Sequence, residues 1–449
     1  MDHRRPLIAV VLLAFAIRVL ALWGAADSRP LLDERTYLTR ANALLDGAGF
    51  VGSYQTWVRH DDVDPARAPQ YPGALQPPGY TAFVAGVMAL GGRSATAVKF
   101  AQVLLGTLTV LVVYALGRAW FDARHGLIAA GICAFYPNLI AFTHYLWSET
   151  LYALLLVSAL WWTTRGAEPP SRGAALVAGV ALGAAALTRS AILYFLPVLV
   201  LWLAWAHRPT RGRALARGAL MLAACMLTIL PWTLRNHRVH DGFVAIDTNG
   251  AYNVWRGNGT GFFNLRGNPN IPQYAAPFDS VPLYPVGDRQ ARRLVREAKQ
   301  TLGSERPTDL QVVRYARSAA WRHIRDDPAA FLHRAVYKVV DVWNPTSFLL
   351  RHFSLDAYGD VSGTVRAGLS WAAVIAYLLL MTFAAIGGVG ARRDPRVWLV
   401  LLLALFTTGI SAVAFGLTRF RLPLMPLFSV LAAHGVVLSS QRLGRSRRG

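Results

Sequence analysis

The sequence predicts an all-α polytopic membrane protein, with about ten transmembrane helices and two large extracytoplasmic loops. Three observations carry that prediction. Apolar residues make up 54% of the 449 and charged residues only 16%, against about 25% charged in an average soluble domain. Several apolar runs reach or approach the roughly 20 residues that cross about 30 Å of hydrocarbon. The arginines gather in short turns between those runs, where they read as topology signals.

Taken in order, the candidate spans are residues 6–24, 96–117, 126–142, 150–164, 173–188, 190–206, 214–232, 366–390, 396–416 and 421–439. The first follows MDHRR and resembles a signal peptide, but its apolar part is long and GAADS is a weak cleavage site, so it reads as an uncleaved span. GYTAFVAGVMALGG (79–92) is too short to cross and reads as a re-entrant or interfacial helix. The turns RAWFDARH, TRGAEPPSRG, HRPTRGRALARG and ARRDPR, with both termini, are rich in Arg and are assigned to the cytoplasm. The loops 25–95 and 233–365 then face outward, since long loops translocate largely regardless of charge. Three parts follow: 1–232, a membrane module including the first loop; 233–365, a mainly helical loop domain; and 366–449, the C-terminal membrane helices.

The net charge of +22 is spent on topology and anionic lipid, which argues against a nucleic-acid partner. Cys133 and Cys225 both lie inside apolar runs, so neither a disulfide framework nor a zinc site is expected. The chain carries no ATP-binding P-loop and no GxGxxG after a strand.

The residues that could carry chemistry cluster at the outer side. LLDERTYLTRANALLDGAGF (31–50) places Asp33 and Glu34 just after the first span. Tyr37, Leu38, Ala41, Leu44 and Leu45 recur at helical spacing and Gly47 stops them, so 34–45 reads as an amphipathic helix along the membrane surface. Two readings of the carboxylates stand: Asp33 as N-cap with Glu34 favoured in the first turn, or a general base at the membrane lip. Asp62-Val63-Asp64 matches a short D-x-D pattern, but with no βαβ context it reads as solvated loop. Arg18, inside the first span, is costly in hydrocarbon unless paired and is given a structural role. In the second loop, the helical pattern is interrupted at Asp327-Pro328.

Six segments together resemble the GT-C superfamily of membrane glycosyltransferases, in the branch of the protein O-mannosyltransferases and the bacterial lipid A aminoarabinose transferases. They are LLDERTYLTRANALLDGAGF, QPPGYTAFVAG, YPNLIAFTHYLWSETLYALLL, ALTRSAILYFLP, PWTLRNHRVHDGFVAIDTNGAYNVWRGNGTG and LTRFRLPLMPLFSVLAA, in the same order. The resemblance covers nearly the whole chain and is weakest from about 262 to 345. It implies transfer of a sugar from a polyprenyl-phosphate carrier to an acceptor hydroxyl at the outer face of a bacterial cytoplasmic membrane. Asp33 then maps onto the base, with Glu34 as its supporting partner. The donor phosphate needs cations near the outer interface, and Arg189, Arg419 and Arg421 stand in the two short outer turns. A guanidinium suits bidentate phosphate contact. Gln76, Tyr80, His144 and Glu149 are supporting candidates on the same side. Where the aminoarabinose transferases read Lys-Pro-Pro, this chain reads Gln76-Pro77-Pro78, so the arginines must carry the charge. Asn249, Trp255 and Asn258 match the pattern without an assigned role. No protein metal site is expected, though a divalent cation is compatible with the chemistry.

The rival class is a transporter or flippase of a lipid-linked saccharide. Charge at the bundle centre would favour that class; carboxylates and arginines at the interface favour the enzyme. The acceptor stays open among protein, lipid and glycan hydroxyls, as does the sugar.

Overall fold

Apolar runs in a bilayer have one economical solution, a helix that satisfies its own backbone. The computed structural model describes residues 3–25, 28–31, 33–60, 70–258, 287–354 and 357–446. Their regular structure is helical, with one isolated antiparallel bridge between Val51 and Pro72. Asp62, Asp64 and residues 259–286, which include the start of the weakly matching stretch, lie outside the described residues.

A helix stands at each of the ten predicted spans, but their lengths divide them. Among the described residues, six are long and apolar enough to cross a membrane: Arg4–Gly24, Ala95–Trp120, Arg208–His240, Gly363–Gly390, Pro395–Val413 and Thr418–Leu443. Glu149–Thr164, Arg172–Thr188 and Ser190–Ala206 are shorter. The expected continuous span over 126–142 is corrected. It is broken into Ala123–Phe135 and Pro137–Ala141, because Pro137 has no N–H to donate and its ring opposes the preceding helical turn.

That break explains Arg18. A proline at 137 leaves carbonyls at the end of the Ala123–Phe135 helix without their usual donors. The fully buried Arg18 guanidinium donates to Ala134 O at 3.1 Å and Cys133 O at 3.4 Å, as well as to Ala14 O in its own helix. Gly106 makes room for it, since a Cβ there would meet Arg18 and Thr143. The charge inside the bundle therefore acts as a cap for a broken helix. Arg18→Ala should cost about 3 kcal/mol, through orphaned carbonyls and a cavity. Thermal unfolding in detergent should show a clear drop in Tm, with Arg18→Lys falling between the two.

The arginine-rich turns gather at one end of the bundle. Trp120 Nε1 donates to Thr164 Oγ1 at 2.9 Å, Arg396 donates to Trp120 O at 2.8 Å, and Trp202 Nε1 donates to Pro395 O at 2.8 Å. Within the bundle, Gly363–Gly390 crosses the Met425–Ser446 helix with backbones touching. A Cβ on Gly387 would run into Leu431 O, and one on Gly435 into Phe383 O. Small residues at such a crossing let helices pack without a hydrophobic driving force.

At the opposite end sit the loop segments. Asp33–Leu45 packs on the 13-residue helix Pro78–Leu90, with the Tyr37 ring edge-on to Tyr80 at 4.6 Å. The Arg211–His240 helix passes the expected module boundary at 232 and carries Arg235 beyond it. From there Arg235 donates to Phe50 O and Gly73 O, each at 2.7 Å, tying the first loop to a span. In the second loop, the expected interruption at Asp327-Pro328 separates Asp309–Asp326 from Pro328–Trp343. Asp327 caps the second helix by accepting from Ala330 N at 2.8 Å.

Candidate active site

Four charged side chains from four distant stretches meet at this end. Asp33 is the first residue of its helix, and its Oδ2 accepts from Arg419 at 2.9 Å. Glu149 opens the Glu149–Thr164 helix, where an acid is favoured by the macrodipole. Its Oε1 accepts from Arg189 at 2.6 Å and lies 3.7 Å from Arg419 Nε. Arg189 follows directly on the end of Arg172–Thr188 and precedes the 3-10 turn Ser190–Phe195. Arg419 sits in the corresponding 3-10 turn, Thr418–Leu424. The order is Asp33, Arg419, Glu149, Arg189, with acids and cations alternating.

Exposure differs sharply along that row. Asp33 keeps 41% of its side chain accessible, Arg419 16% and Glu149 only 1%. Aromatic faces support the cations: Arg419 lies 4.8 Å from the Trp147 ring centroid, and Arg189 lies 5.4 Å from that of Phe420. Such faces hold a guanidinium without using its donors. Burial, with Asp33 and Glu149 adding to it, pushes the nearby Tyr37 phenol up to about 12. It stays protonated beside the carboxylates.

Glu34 does something else. It is 3% exposed, and its two oxygens accept from Leu31 N at 2.6 Å and Leu146 N at 2.8 Å. Burial pushes its carboxyl above the ordinary glutamate range. The side chain bolts the Asp33 helix to the 142–148 segment, which leads into Glu149. Glu34→Ala should therefore cost about 2–3 kcal/mol, since it leaves two buried amides unpaired. The check is thermal unfolding: an alanine variant as stable as the parent but inactive would make Glu34 a reacting group instead.

The other expected site residues are divided. Arg421, fully buried, donates to Val342 O at 2.8 Å and to the carbonyls of Asn344 and Thr346, with its guanidinium 3.9 Å from the Tyr377 ring centroid. It caps the end of Pro328–Trp343. Gln76 accepts from Arg40 at 2.7 Å. The Tyr80 hydroxyl donates to Gln102, which in turn donates to Tyr145 O. His144 pairs with the Tyr358 hydroxyl at 2.8 Å, and burial, aided by Lys99, pushes its imidazole down to about 3. A neutral His144 adds no cation. A narrow cavity beneath Arg419 is lined by Tyr136, Asn138, Thr346, Phe348 and Arg421.

Sequence reading missed Arg40, Lys338 and Arg235. Lys338, buried, donates to Asn258 Oδ1 at 3.1 Å and to the carbonyls of Ala412 and Val413, which gives Asn258 a structural task. Its signal was a lysine on the buried side of an otherwise apolar helical face.

Comparison with known proteins bears on the fold and on one stretch of sequence. A family profile described as dolichyl-phosphate-mannose-protein mannosyltransferase matches residues 75–234. The undecaprenyl phosphate-alpha-4-amino-4-deoxy-L-arabinose arabinosyl transferase of Pseudomonas aeruginosa is 28% identical over 250 residues, covering 52% of this chain and 41% of that protein. The crystal structure of the Archaeoglobus fulgidus oligosaccharyltransferase, tethered with an acceptor peptide containing the NVT sequon, superposes with a TM-score of 0.57 at 15% identity. The match covers 99% of this chain and 50% of that one. The same archaeal enzyme, in complex with an inhibitory peptide and a dolichol-phosphate, also gives 0.57, covering 99% of this chain and 51% of that one. The chain thus spans about half or less of the length of these relatives. Its fold is thus that of the archaeal oligosaccharyltransferase, and residues 75–234 are similar in sequence to the dolichyl-phosphate-mannose-protein mannosyltransferases.

Proposed function

We propose that the chain transfers a sugar from a polyprenyl-phosphate carrier to an acceptor hydroxyl at the outer face of a bacterial cytoplasmic membrane. The observation that carries this reading is the pairing of a half-exposed carboxylate, Asp33, with a guanidinium, Arg419, at the end of the bundle away from the arginine-rich turns. The names of the relatives support the donor class: one acts with an undecaprenyl phosphate sugar, and the archaeal enzyme holds a dolichol-phosphate.

In this reading the acceptor O–H gives its proton to Asp33, and the acceptor oxygen attacks the anomeric carbon. The bond from that carbon to the phosphate oxygen breaks, and its electron pair leaves with the lipid phosphate. Arg419 and Arg189 balance the charge that grows there, acting in a site partly shielded from water. Glu149, between the two cations, keeps them at a fixed spacing. Displacement from the side opposite the leaving phosphate inverts the anomeric centre.

A divalent cation has been found with the archaeal enzyme, as zinc. Here Asp33 and Glu149 both face Arg419, and the described residues gather no group of three His, Cys, Asp or Glu. A divalent cation, if bound, would share the half-exposed Asp33 carboxylate with that guanidinium. The 1–232, 233–365 and 366–449 parts fit this reading as membrane core, acceptor-side cover and the helices that carry Arg419.

The test is transfer of label from a panel of radiolabelled polyprenyl-phosphate sugars, in membranes with and without the protein. Protein-dependent label in a protein, lipid or glycan fraction supports the reading and names the acceptor class. Label that moves across the bilayer on its carrier, without transfer, would replace it with a flippase.

A further inference from the structure

The helix Pro328–Trp343 lies in a loop that sequence reading places wholly outside the membrane, yet its contacts run down the side of a span. Lys338 Nζ donates to Ala412 O and Val413 O, at the outer end of Pro395–Val413. Five residues later, Trp343 Nε1 donates to Thr408 Oγ1 at 2.9 Å, five residues deeper in that span. The Trp343 carbonyl accepts from Tyr377 Oη at 3.0 Å, in the middle of Gly363–Gly390. Equal steps in opposite directions mean the two helices run antiparallel. At about 1.5 Å per residue, the end of Pro328–Trp343 lies roughly 7 Å below the outer end of that span.

On the side away from Lys338 this helix exposes an apolar stripe, with His333 and Tyr337 beside it. Leu332 and Val336 are each 63% exposed and Val340 is 51% exposed, and they recur every four residues on one stripe. The span it packs on exposes apolar side chains of its own, at Leu405, Ile410 and Val413. Water is a poor neighbour for such a stripe, and on a monomer's surface it calls for an occupant.

We propose that Pro328–Trp343 is a re-entrant half-helix whose Leu332–Val336–Val340 edge is embedded in the acyl chains of the outer leaflet. Lys338 and Arg421 hold its inner half from behind by backbone carbonyls, and the helix delivers Thr346 and Phe348 to the cavity beneath Arg419. The inference rests on the membrane reading alone and stands whether or not the sugar-transfer reading does.

The test uses the full chain in phosphatidylcholine nanodiscs, with a nitroxide placed by Leu332→Cys, Val336→Cys or Val340→Cys. These sites are exposed, so labels there leave the core intact, and the buried Cys133 and Cys225 supply the background measured on the parent. Collision rates with oxygen, which partitions into lipid, are compared with those of a water-soluble nickel chelate. The expected result is an oxygen-to-nickel ratio several-fold above that of a label at Asp326→Cys, rising from 332 through 336 to 340. Nickel collisions dominating at Val340 would put the stripe in water and overturn the proposal. Labels at 336 and 340 shielded from both agents would mean that a second copy or another protein covers it, which also overturns it.

Discussion

Asp33→Asn should lower sugar transfer by about 10²–10⁴-fold, the range a positioned general base contributes, with folding unchanged. The amide keeps the size of the carboxylate and an oxygen for Arg419, so the Asp33–Leu45 helix loses no packing. What it loses is the capacity to take the acceptor proton. The measurement is initial rate at saturating labelled donor, with equal protein judged by immunoblot and by elution from a sizing column. A fall in kcat at unchanged KM for the donor would match a proton-transfer role. Equal rates for parent and variant would make Asp33 an anchor for Arg419, and the base would have to be sought elsewhere.

Arg419→Ala should be comparably severe, with a loss of about 10²–10³-fold, as when one preorganised donor to a developing oxyanion is removed. It also removes the cation that stands between Asp33 and Glu149, so Asp33 loses this partner and Glu149 is left with Arg189. Arg419→Lys separates the two effects. A lysine restores one positive charge but presents a point rather than a fork, and it cannot meet Asp33 and Glu149 together. Partial recovery, with the donor KM raised more than kcat is lowered, is the expected pattern. Full activity in the alanine variant would remove Arg419 from the phosphate role, leaving Arg189.

Helix positions were legible because hydropathy is a property of the chain alone. The place of Asp33 was legible for the same reason, since a carboxylate beside an apolar run is visible without a fold. Arg419 and Arg421 were not separable. They share residue type, turn and side of the membrane, but the 3-10 turn advances about 120° per residue. Residues two apart therefore point to different neighbours, one to Asp33 and the other to the carbonyls of 342–346. The partners of Glu34 and Gln76 were hidden for a related reason. Those residues, Leu146 and Arg40, are distant in the chain, and nothing local announces them. The break at Pro137 was local, but an average over a hydropathy window does not register a missing N–H.

The crossing of Gly387 with Gly435 has a consequence for how this chain can vary in length. With backbone pressed on backbone, the C-terminal helix cannot slide along its neighbour to absorb an added residue. One residue inserted between Leu424 and Gly435 would turn the preceding segment by about 100° and lift it by about 1.5 Å. Arg419 would then swing away from Asp33, although no residue of the site had been replaced. The spacing from the outer turn to that crossing is therefore as much a part of the site as the arginine. Relatives that keep the pair should tolerate substitutions along this stretch far better than single-residue gaps.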